Sequence, residues 1–247
     1  MKAMIFAAGL GTRLRPLTDT RPKALVEING VALLEIVARR LIAAGTTGLI
    51  INVHHFAEQI AGFVQQRSNF GIRVSLSYEE RLLDTGGGLK KAADFFDDGQ
   101  PFFVHNVDVI SALDLQALYR QHSDGHALAT LAVQARKTSR YLIFDRDQRL
   151  CGWKSAREQR VEWARAPAGE TVDLAFNGIH VISPRLLGLM TEDGTFSIIK
   201  TYLRLVGNGE KIQAFRKDDD YWRDAGKIEH LEQIAREHAN AMQLLAG

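Results

Sequence analysis

Hydrophobic and polar residues alternate along this chain with two different periodicities. Apolar or alternating runs predict strands at residues 2–8, 48–53, 72–78 and 101–106. Apolar residues at helical spacing predict helices at residues 31–44, 56–66, 89–96 and 113–122. Strands and helices in this order predict parallel β-α-β units with right-handed crossovers. We therefore predict an α/β fold for residues 1–135, a three-layer sheet whose ligands bind beyond the carboxyl ends of the strands.

The pattern changes in the second half of the chain. Strand-like runs without intervening helices occur at residues 127–134, 141–145, 149–153 and 172–182, with a polar, charged stretch at residues 154–170. This order predicts a small antiparallel lobe beside the sheet. A helix, a strand and a long final helix are predicted at residues 196–206, 211–215 and 227–245. We predict a single domain with a core (1–135), a lobe (136–226) and a C-terminal helix (227–247).

Composition and charge narrow the class of protein. The chain has 247 residues, and its 31 Lys and Arg against 29 Asp and Glu leave a net charge of only +2. Such a balance predicts no nucleic-acid or membrane partner. The one cysteine, Cys151, excludes an internal disulfide and a cysteine-based zinc cluster and is predicted to be a small buried residue. Without a signal peptide or a long apolar run, the expected location is the cytoplasm.

A glycine loop follows the first predicted strand, in the stretch AAGLGTRLRPLTDTRPKALVEING. Gly9 and Gly11 allow a tight turn whose amide groups can approach phosphate oxygens. A dinucleotide motif would need a third glycine where Leu14 stands, and Pro16 interrupts any helix there. A Walker A loop is also absent. Two glycines alone occur as often in a plain turn as in a phosphate-binding loop. The longer sequence pattern is therefore needed to distinguish the two.

The whole stretch resembles the signature of the sugar nucleotidyltransferases, G-x-G-T-R-x-x-P-L-T followed by P-K-x-L. Every fixed position matches: Gly9, Gly11, Thr12, Arg13, Pro16, Leu17, Thr18, Pro22, Lys23 and Leu25. The resemblance implies a Rossmann-like mixed sheet of the nucleotide-diphospho-sugar transferase type, with a small antiparallel sugar-binding lobe. It also implies that the loop around Ala8 binds the nucleotide, that Arg13 holds the β- and γ-phosphates, and that Lys23 contacts the reacting phosphates. Arg15 and Arg21 are predicted to be surface charges.

Two aspartates are the candidate ligands of a magnesium ion. Asp108 follows the apolar strand PFFVHNV, at the place where the family carries a metal-binding aspartate, although Val107 replaces the usual preceding glycine. Asp224 lies in YWRDAGKIEHL, a match to the family's W-x-D-x-G pattern. The resemblance implies Mg²⁺ binding by Asp108 and Asp224, with helix capping as the alternative for Asp224. Asp114 is predicted to begin a helix instead.

Two further segments are candidates for the base and the sugar. The string RLLDTGGGLKKA resembles the family's base-reading segment, a glycine-rich turn before a helix, and its candidate residues are Asp84, Thr85, Gly86 and Gly87. Asn177 and Gly178, in AFNGIHVI, match a position that contacts sugar hydroxyls. Lys154 is a candidate for the lysine of the family's E-K-P string, which is missing here, with a surface lysine as the equal alternative. The histidines His54 and His55 are predicted to be structural.

The predicted activity is transfer of a nucleoside monophosphate from an NTP to a sugar 1-phosphate, with Mg²⁺ as cofactor and pyrophosphate and an NDP-sugar as products. UTP is favoured, with GTP and dTTP as alternatives. The resemblance is closest to short, single-domain members that act on N-acetylmuramic acid 1-phosphate or mannose 1-phosphate, and it implies a monomer or small homo-oligomer. Two alternatives stay open. One is a non-sugar phosphorylated acceptor, and the other is a catalytically silent nucleotide-sensing subunit, which Val107 favours.

Overall fold

The chain folds into two compact units that are each assembled from separate stretches of sequence. The structure, a computed structural model, describes residues 1–238. The first unit contains residues 1–83, 104–115 and the described residues from 220 onward, and the second contains residues 84–103 and 116–219. The division of roles predicted at residues 135 and 226 stays a prediction. The part of the predicted final helix beyond residue 238 lies outside the described residues.

The described residues contain fourteen strands and seven α-helices. The strands are β1 (Lys2–Phe6), β2 (Glu27–Ile28), β3 (Val31–Ala32), β4 (Gly48–Val53), β5 (Arg73–Tyr78), β6 (Phe102–Asn106), β7 (Val109–Ser111), β8 (Ala129–Gln134), β9 (Arg140–Asp145), β10 (Leu150–Ser155), β11 (Arg160–Trp163), β12 (Thr171–Ile182), β13 (Ile212–Arg216) and β14 (Trp222–Asp224). The helices are α1 (Leu33–Ala43), α2 (Ala57–Gln66), α3 (Asp84–Lys91), α4 (Leu115–Gly125), α5 (Arg185–Gly188), α6 (Ile198–Gly207) and α7 (Ile228–Glu237). Within residues 1–238, none of these helices combines the length and the apolar composition that crossing a bilayer would require.

Parallel strands form the sheet of the first unit, as predicted. β1 pairs with β4, and β4 pairs with β5, both in parallel. All six residues of β4 are buried, which explains why its sequence is a continuous apolar run rather than an alternating one. Helix α1 buries the apolar residues that recur at helical spacing, and Gly45 follows its end with a φ of 101°, a conformation that favours glycine.

A short two-stranded sheet in the first unit was not predicted from the sequence. β7 pairs antiparallel with β14, and Asp224 lies opposite Val109 in this pairing. Backbone hydrogen bonds continue the pairing at both ends, from Ala112 N to Tyr221 O and from Ala225 N to Asp108 O. Strands of three residues are too short to show a periodicity, so only the long-range pairing reveals them.

Antiparallel strands dominate the second unit, as the loss of the strand-helix rhythm predicted. The twelve-residue strand β12 pairs antiparallel with β8 and β9, and β10 pairs antiparallel with β9 and β11. β13 pairs with β8 in parallel. The strand β11 lies within the polar, charged stretch at residues 154–170, where the sequence predicted no strand. All four residues of β11 are exposed, so its sequence carries no buried alternation. The chain therefore combines parallel and antiparallel strand pairings with helices, which confirms the predicted α/β fold class with a mixed sheet.

Helix α3 begins earlier than predicted. The sequence predicted a helix from Leu89 after a glycine-rich turn, but α3 begins at Asp84 and contains all three glycines. Glycine is a poor helix former, so the prediction followed intrinsic preference. Tight packing explains the difference: a Cβ on Gly86 would lie 2.3 Å from ring atoms of Phe196. The amide groups of Gly86 and Gly87 also donate to Phe196 O.

A buried histidine in the second unit makes folding sensitive to acid. His122 is 2% exposed, and its Nδ1 lies 2.9 Å from Thr130 Oγ1. Burial lowers the pKa of His122 to about 4 from its ordinary value of 6.5. Between about pH 6.5 and about pH 4 the unfolded chain therefore binds a proton that the folded state excludes. The free energy of unfolding falls as the pH is lowered through this range.

The substitution His122→Gln is expected to reduce the acid sensitivity of folding. Between about pH 7 and about pH 5, the wild-type free energy of unfolding should fall by about 1–2 kcal/mol more than that of the variant. Urea unfolding at the two pH values measures the difference. His55→Gln, at an exposed histidine, is the control and should behave as the wild type. Equal pH dependence in wild type and His122→Gln would contradict the prediction.

Candidate functional site

The glycine loop leaves the carboxyl end of β1 and folds back on its own signature residues. Gly11 has a φ of 65°, and a Cβ there would lie 2.9 Å from Thr18 and 3.0 Å from Lys23. Thr18 is buried and its hydroxyl donates to Gly11 O at 2.9 Å. Leu14 is fully buried and anchors the loop, whereas the Arg13 side chain is 59% exposed. The signature therefore combines residues that shape the loop with a cation that is accessible to a ligand.

Lys23 and Asp108 form the central ion pair of the first unit. Lys23 Nζ contacts Asp108 Oδ2, and the side chains are only 12% and 18% exposed. Asp108 follows β6, whose end is tied to β1 by a hydrogen bond from Val107 N to Phe6 O. Val107 is buried and lacks a positive φ, so this position does not need the family's usual glycine.

Asp224 lies beside this pair because β14 pairs with β7. Its Oδ1 accepts a hydrogen bond from Gly226 N at 2.6 Å and lies 3.9 Å from Arg13 Nη2. The neighbouring Ala225 N donates to Asp108 O at 2.7 Å. Helix α7 begins at Ile228, so the alternative of a helix cap is excluded for Asp224. The structure thus brings together four predicted residues, namely Arg13, Lys23, Asp108 and Asp224.

The donor set at Asp108 and Asp224 fits a magnesium ion. Mg²⁺ prefers oxygen ligands and is often bound through one or two carboxylates, while water and substrate phosphates fill the other positions. Among residues 1–238, no group of three or more His, Cys, Asp and Glu side chains is placed to hold a metal. The two aspartates would therefore leave most coordination positions to phosphate oxygens and water.

A buried pair of polar residues supports the loop and was missed from the sequence. Asn52 lies in β4 and accepts a hydrogen bond from Ala7 N at 2.7 Å. Asn52 Nδ2 donates to Glu79 Oε1 at 2.7 Å, and Leu83 N donates to Glu79 Oε2 at 2.9 Å. The signal in the sequence was the one polar residue within the apolar run GLIINV.

The candidate base segment lies in the second unit, at the start of α3. Thr85 Oγ1 accepts a hydrogen bond from Ile198 N at 3.0 Å. Gly86 N and Gly87 N donate to Phe196 O at 2.8 Å and 3.3 Å, so these donors already have partners within the protein. Asp84 is exposed, and one of its carboxylate oxygens accepts from Thr85 N. A base-binding role for this segment stays a prediction, and Asp84 is its exposed polar side chain.

The candidate sugar residues also lie in the second unit. Lys154, in β10, pairs with Asp173 at 2.5 Å, and this hydrogen bond raises the pKa of Lys154. Asn177 is 2% exposed and accepts a hydrogen bond from Arg136 Nε at 3.3 Å. Gly178 has a φ of 75° at an irregularity in the pairing of β12 with β8. Arg136, the second residue after β8, was not predicted from the sequence.

Gly226 is expected to be required for the arrangement of Arg13 and Asp224. A Cβ at this position would lie 2.5 Å from Arg13 Nη2 and 2.5 Å from Asp224 Oδ1. We expect Gly226→Ala to lower kcat/KM about 10- to 100-fold by displacing these groups. Steady-state kinetics measure the loss. Gly62→Ala is the control, because nothing lies within 4 Å of its Cβ and alanine favours the helix. Unchanged kinetics in Gly226→Ala would contradict this expectation.

Sequence comparisons relate the chain to nucleotidyltransferases. A family model described as nucleotidyl transferase matches residues 2–241. The chain is 33% identical to N-acetylmuramate alpha-1-phosphate uridylyltransferase of Caulobacter vibrioides, covering 84% of this chain and 85% of that protein. It is 30% identical to mannose-1-phosphate guanyltransferase of Candida albicans, covering 92% of this chain and 61% of that protein. It is also similar to UTP--glucose-1-phosphate uridylyltransferase of Synechocystis sp., of which it spans 63% at 29% identity.

Solved structures share the fold over nearly the whole chain. A putative glucose-1-phosphate thymidylyltransferase from Bacillus anthracis matches with a TM-score of 0.81 at 16% identity, covering 99% of this chain and 98% of that one. HddC from Yersinia pseudotuberculosis, complexed with GMP-PN, matches with a TM-score of 0.75 at 21% identity, covering 96% of this chain and 98% of that one. At these identities the similarity establishes the fold alone.

Proposed function

The chain belongs to the family of sugar-1-phosphate nucleotidyltransferases and is an enzyme of that class, and from this premise we propose that it transfers uridine monophosphate from UTP to N-acetylmuramic acid 1-phosphate in a Mg²⁺-dependent reaction. The observation that supports the substrates is the similarity to the Caulobacter uridylyltransferase, which extends over most of both chains. The guanyltransferase and glucose-1-phosphate relatives are considerably longer proteins. A cytoplasmic location and a monomer or small homo-oligomer stay predictions.

The proposed reaction is an in-line attack by a phosphate oxygen of the sugar 1-phosphate on the α-phosphorus of UTP. The new P–O bond joins the two phosphates, and the bond to the β-phosphate breaks to release pyrophosphate. A phosphate monoester is already nucleophilic near neutral pH, so the step needs no general base. Catalysis then depends on positioning and on stabilising the negative charge that develops on the phosphate oxygens.

The residues of the first unit have complementary roles in this proposal. Backbone amides of the loop at Gly9 and Gly11 would bind phosphate oxygens, and the exposed Arg13 guanidinium would hold the leaving pyrophosphate. Lys23 would stabilise the charge at the reacting phosphorus, because its ammonium group is held in place by Asp108. Asp108 and Asp224 would hold Mg²⁺, which supplies additional positive charge to the phosphates when bound.

The residues of the second unit carry the proposed specificity. Asp84, Thr85, Gly86 and Gly87 would contact the nucleotide base, and Lys154, Asn177 and Gly178 would contact the sugar phosphate and hydroxyls. Lys154 is a cation half open to solvent, and its partner Asp173 keeps it oriented. The burial of Asn177 and its bond to Arg136 give the amide a defined orientation. These are the properties that a polar substrate pocket needs.

The structure weakens the alternative of a catalytically silent subunit. That alternative was favoured by Val107, but the backbone there suits valine. A binding module would also have little need for two pairs of a cation and a carboxylate, as found for Lys23 with Asp108 and Arg13 with Asp224.

The test is pyrophosphate release from each NTP combined with a panel of acceptors, with Mg²⁺ or with EDTA. The panel includes N-acetylmuramic acid 1-phosphate, mannose 1-phosphate, glucose 1-phosphate and phosphocholine. We expect release with UTP and N-acetylmuramic acid 1-phosphate that requires both substrates and stops with EDTA. Preference for another base or sugar would overturn the substrate assignment, and activity with phosphocholine alone would favour the non-sugar acceptor. Release that persists in EDTA would overturn the metal requirement.

A further inference from the structure

A chain of buried hydrogen bonds joins the carboxyl ends of three neighbouring parallel strands in the first unit. It runs from Ala7 N, directly after β1, to Asn52 in β4, then to Glu79 directly after β5, and ends at Leu83 N. Asn52 is 3% exposed and Glu79 is 5% exposed. We propose that Asn52 and Glu79 are positioning residues for nucleotide binding, an inference that rests on the proposed function.

The position of Ala7 explains why the pair would matter for the nucleotide. Phe6 lies opposite Asn52 in the parallel pairing of β1 with β4, and Ala7 is the next residue. The bond from Ala7 N to the Asn52 side chain holds the backbone at the point where the strand ends and the glycine loop begins. Gly9 follows two residues later. A shift of the backbone at Ala7 therefore moves the amides that are proposed to bind phosphate.

The carboxylate of Glu79 determines the orientation of the Asn52 amide. Both carboxylate oxygens of Glu79 accept hydrogen bonds, so Asn52 turns its Nδ2 toward Glu79 and its Oδ1 toward Ala7 N. The second carboxylate oxygen accepts from Leu83 N. The backbone of Glu79 is fixed as well, since its N donates to Val53 O and its carbonyl oxygen lies 2.7 Å from His54 Nδ1.

Burying a carboxylate is less favourable than burying an apolar side chain of the same size. The hydrogen bonds that Glu79 accepts therefore indicate a positioning role. Without a compensating partner, burying a charged group is strongly unfavourable. Here the two oxygens of Glu79 accept from two different donors, the side chain of Asn52 and the backbone of Leu83. Leu83 directly precedes Asp84, the first residue of the candidate base segment. Within the first unit, Asn52 thus holds the backbone at Ala7 and Glu79 holds the backbone at Leu83.

Exchanging the donor and acceptor roles of the pair tests this inference. In Asn52→Asp, two carboxylates face each other, and in Glu79→Gln an amide must satisfy two donors. The double variant N52D/E79Q restores every bond, because the new amide at position 79 can donate to the new carboxylate at position 52 and accept from Leu83 N. That carboxylate can still accept from Ala7 N. The double variant also has the same net charge as the wild type.

We expect each single variant to raise KM for the NTP about tenfold, with kcat and KM for the sugar 1-phosphate changed less than about threefold. The double variant should recover a KM within about threefold of the wild type. A purely structural role would reduce the fraction of folded enzyme. It would therefore lower kcat and the kcat/KM values for both substrates by the same factor and leave both KM values unchanged. A double variant that is folded but no better than the worse single variant overturns the inference, as do single variants with wild-type KM.

Direct binding separates this inference from the proposed function. The dissociation constant of UTP is measured by calorimetry without any sugar phosphate. It should be low for the wild type and the double variant and higher for both single variants. If the wild type binds UTP but does not turn over the proposed sugar, the substrate assignment fails while this order still tests the positioning role. If Asn52→Asp does not fold, Glu79→Gln and the double variant carry the comparison. Equal UTP affinity in these two variants would then overturn the inference.

Discussion

Asp108→Asn is expected to lower kcat about 1000-fold or more, because it removes a carboxylate proposed to hold Mg²⁺ at the reacting phosphates. Asparagine keeps the size of the side chain and an oxygen that can still accept a hydrogen bond from Lys23, so the folded structure should persist. The apparent Mg²⁺ requirement should also rise, since one of the two anionic ligands becomes neutral. Initial rates of pyrophosphate release over a range of Mg²⁺ concentrations measure both effects.

The matched control for this prediction is Asp114→Asn. Asp114 is an exposed aspartate that follows β7 and precedes α4, and the sequence made it the rival of Asp108. Its kcat and its Mg²⁺ dependence should equal those of the wild type. Circular dichroism melting should show that both variants are folded at the assay temperature. Full activity in Asp108→Asn, or a comparable loss in Asp114→Asn, would refute the assignment of Asp108.

Lys23→Met is expected to lower kcat about 100- to 1000-fold, the usual effect of removing one group that stabilises transition-state charge. Methionine retains the length of the apolar stem, so packing around the short helical turn at Lys23–Leu25 should be kept. The loss should appear at saturating concentrations of both substrates, because the proposed interaction forms in the transition state rather than on substrate binding. Rapid-quench measurements of a single turnover test whether the chemical step has slowed.

Arg15→Met provides the control for the loss of a cation from the same loop. Arg15 and Asp19 form an ion pair whose side chains are 68% and 51% exposed. Such exposed pairs contribute about 0–1 kcal/mol, so stability and kcat should change little.

The double variant D108N/K23M should lose less activity than the product of the single losses, because the two side chains act as one unit. Strictly multiplicative losses would contradict a shared role for the pair.

The glycine loop and both candidate aspartates could be identified from the sequence because each lies in a short, local sequence motif. The signature from Gly9 to Leu25 names the residues that bend the loop, such as Gly11 and Thr18, as well as the cations. The structure gives the physical reason for the pattern. Gly11 has a left-handed backbone and lies against Thr18 and the Cβ atom of Lys23, so a side chain at Gly11 would displace both.

Other features depend on residues that are distant in the sequence and were missed or misplaced. The helix at Asp84 replaces the predicted turn because Phe196 packs against Gly86 and accepts two of the segment's amides. The pairing of β7 with β14 also has no local signal, since each strand has only three residues. Glu79 gives no sign in the sequence that it is buried, because its environment is made by Asn52 and Leu83.

The sequence by itself determined the α/β class, the succession of most helices and strands, the family resemblance and the identity of the candidate groups. These follow from the spacing of apolar residues and from the backbone freedom of glycine, which are properties of short segments. Only the tertiary structure decided which groups meet: Lys23 with Asp108, Arg13 near Asp224, and Asn52 with Glu79. These contacts join distant parts of the chain, and their geometry depends on burial and strand pairing that no local pattern specifies.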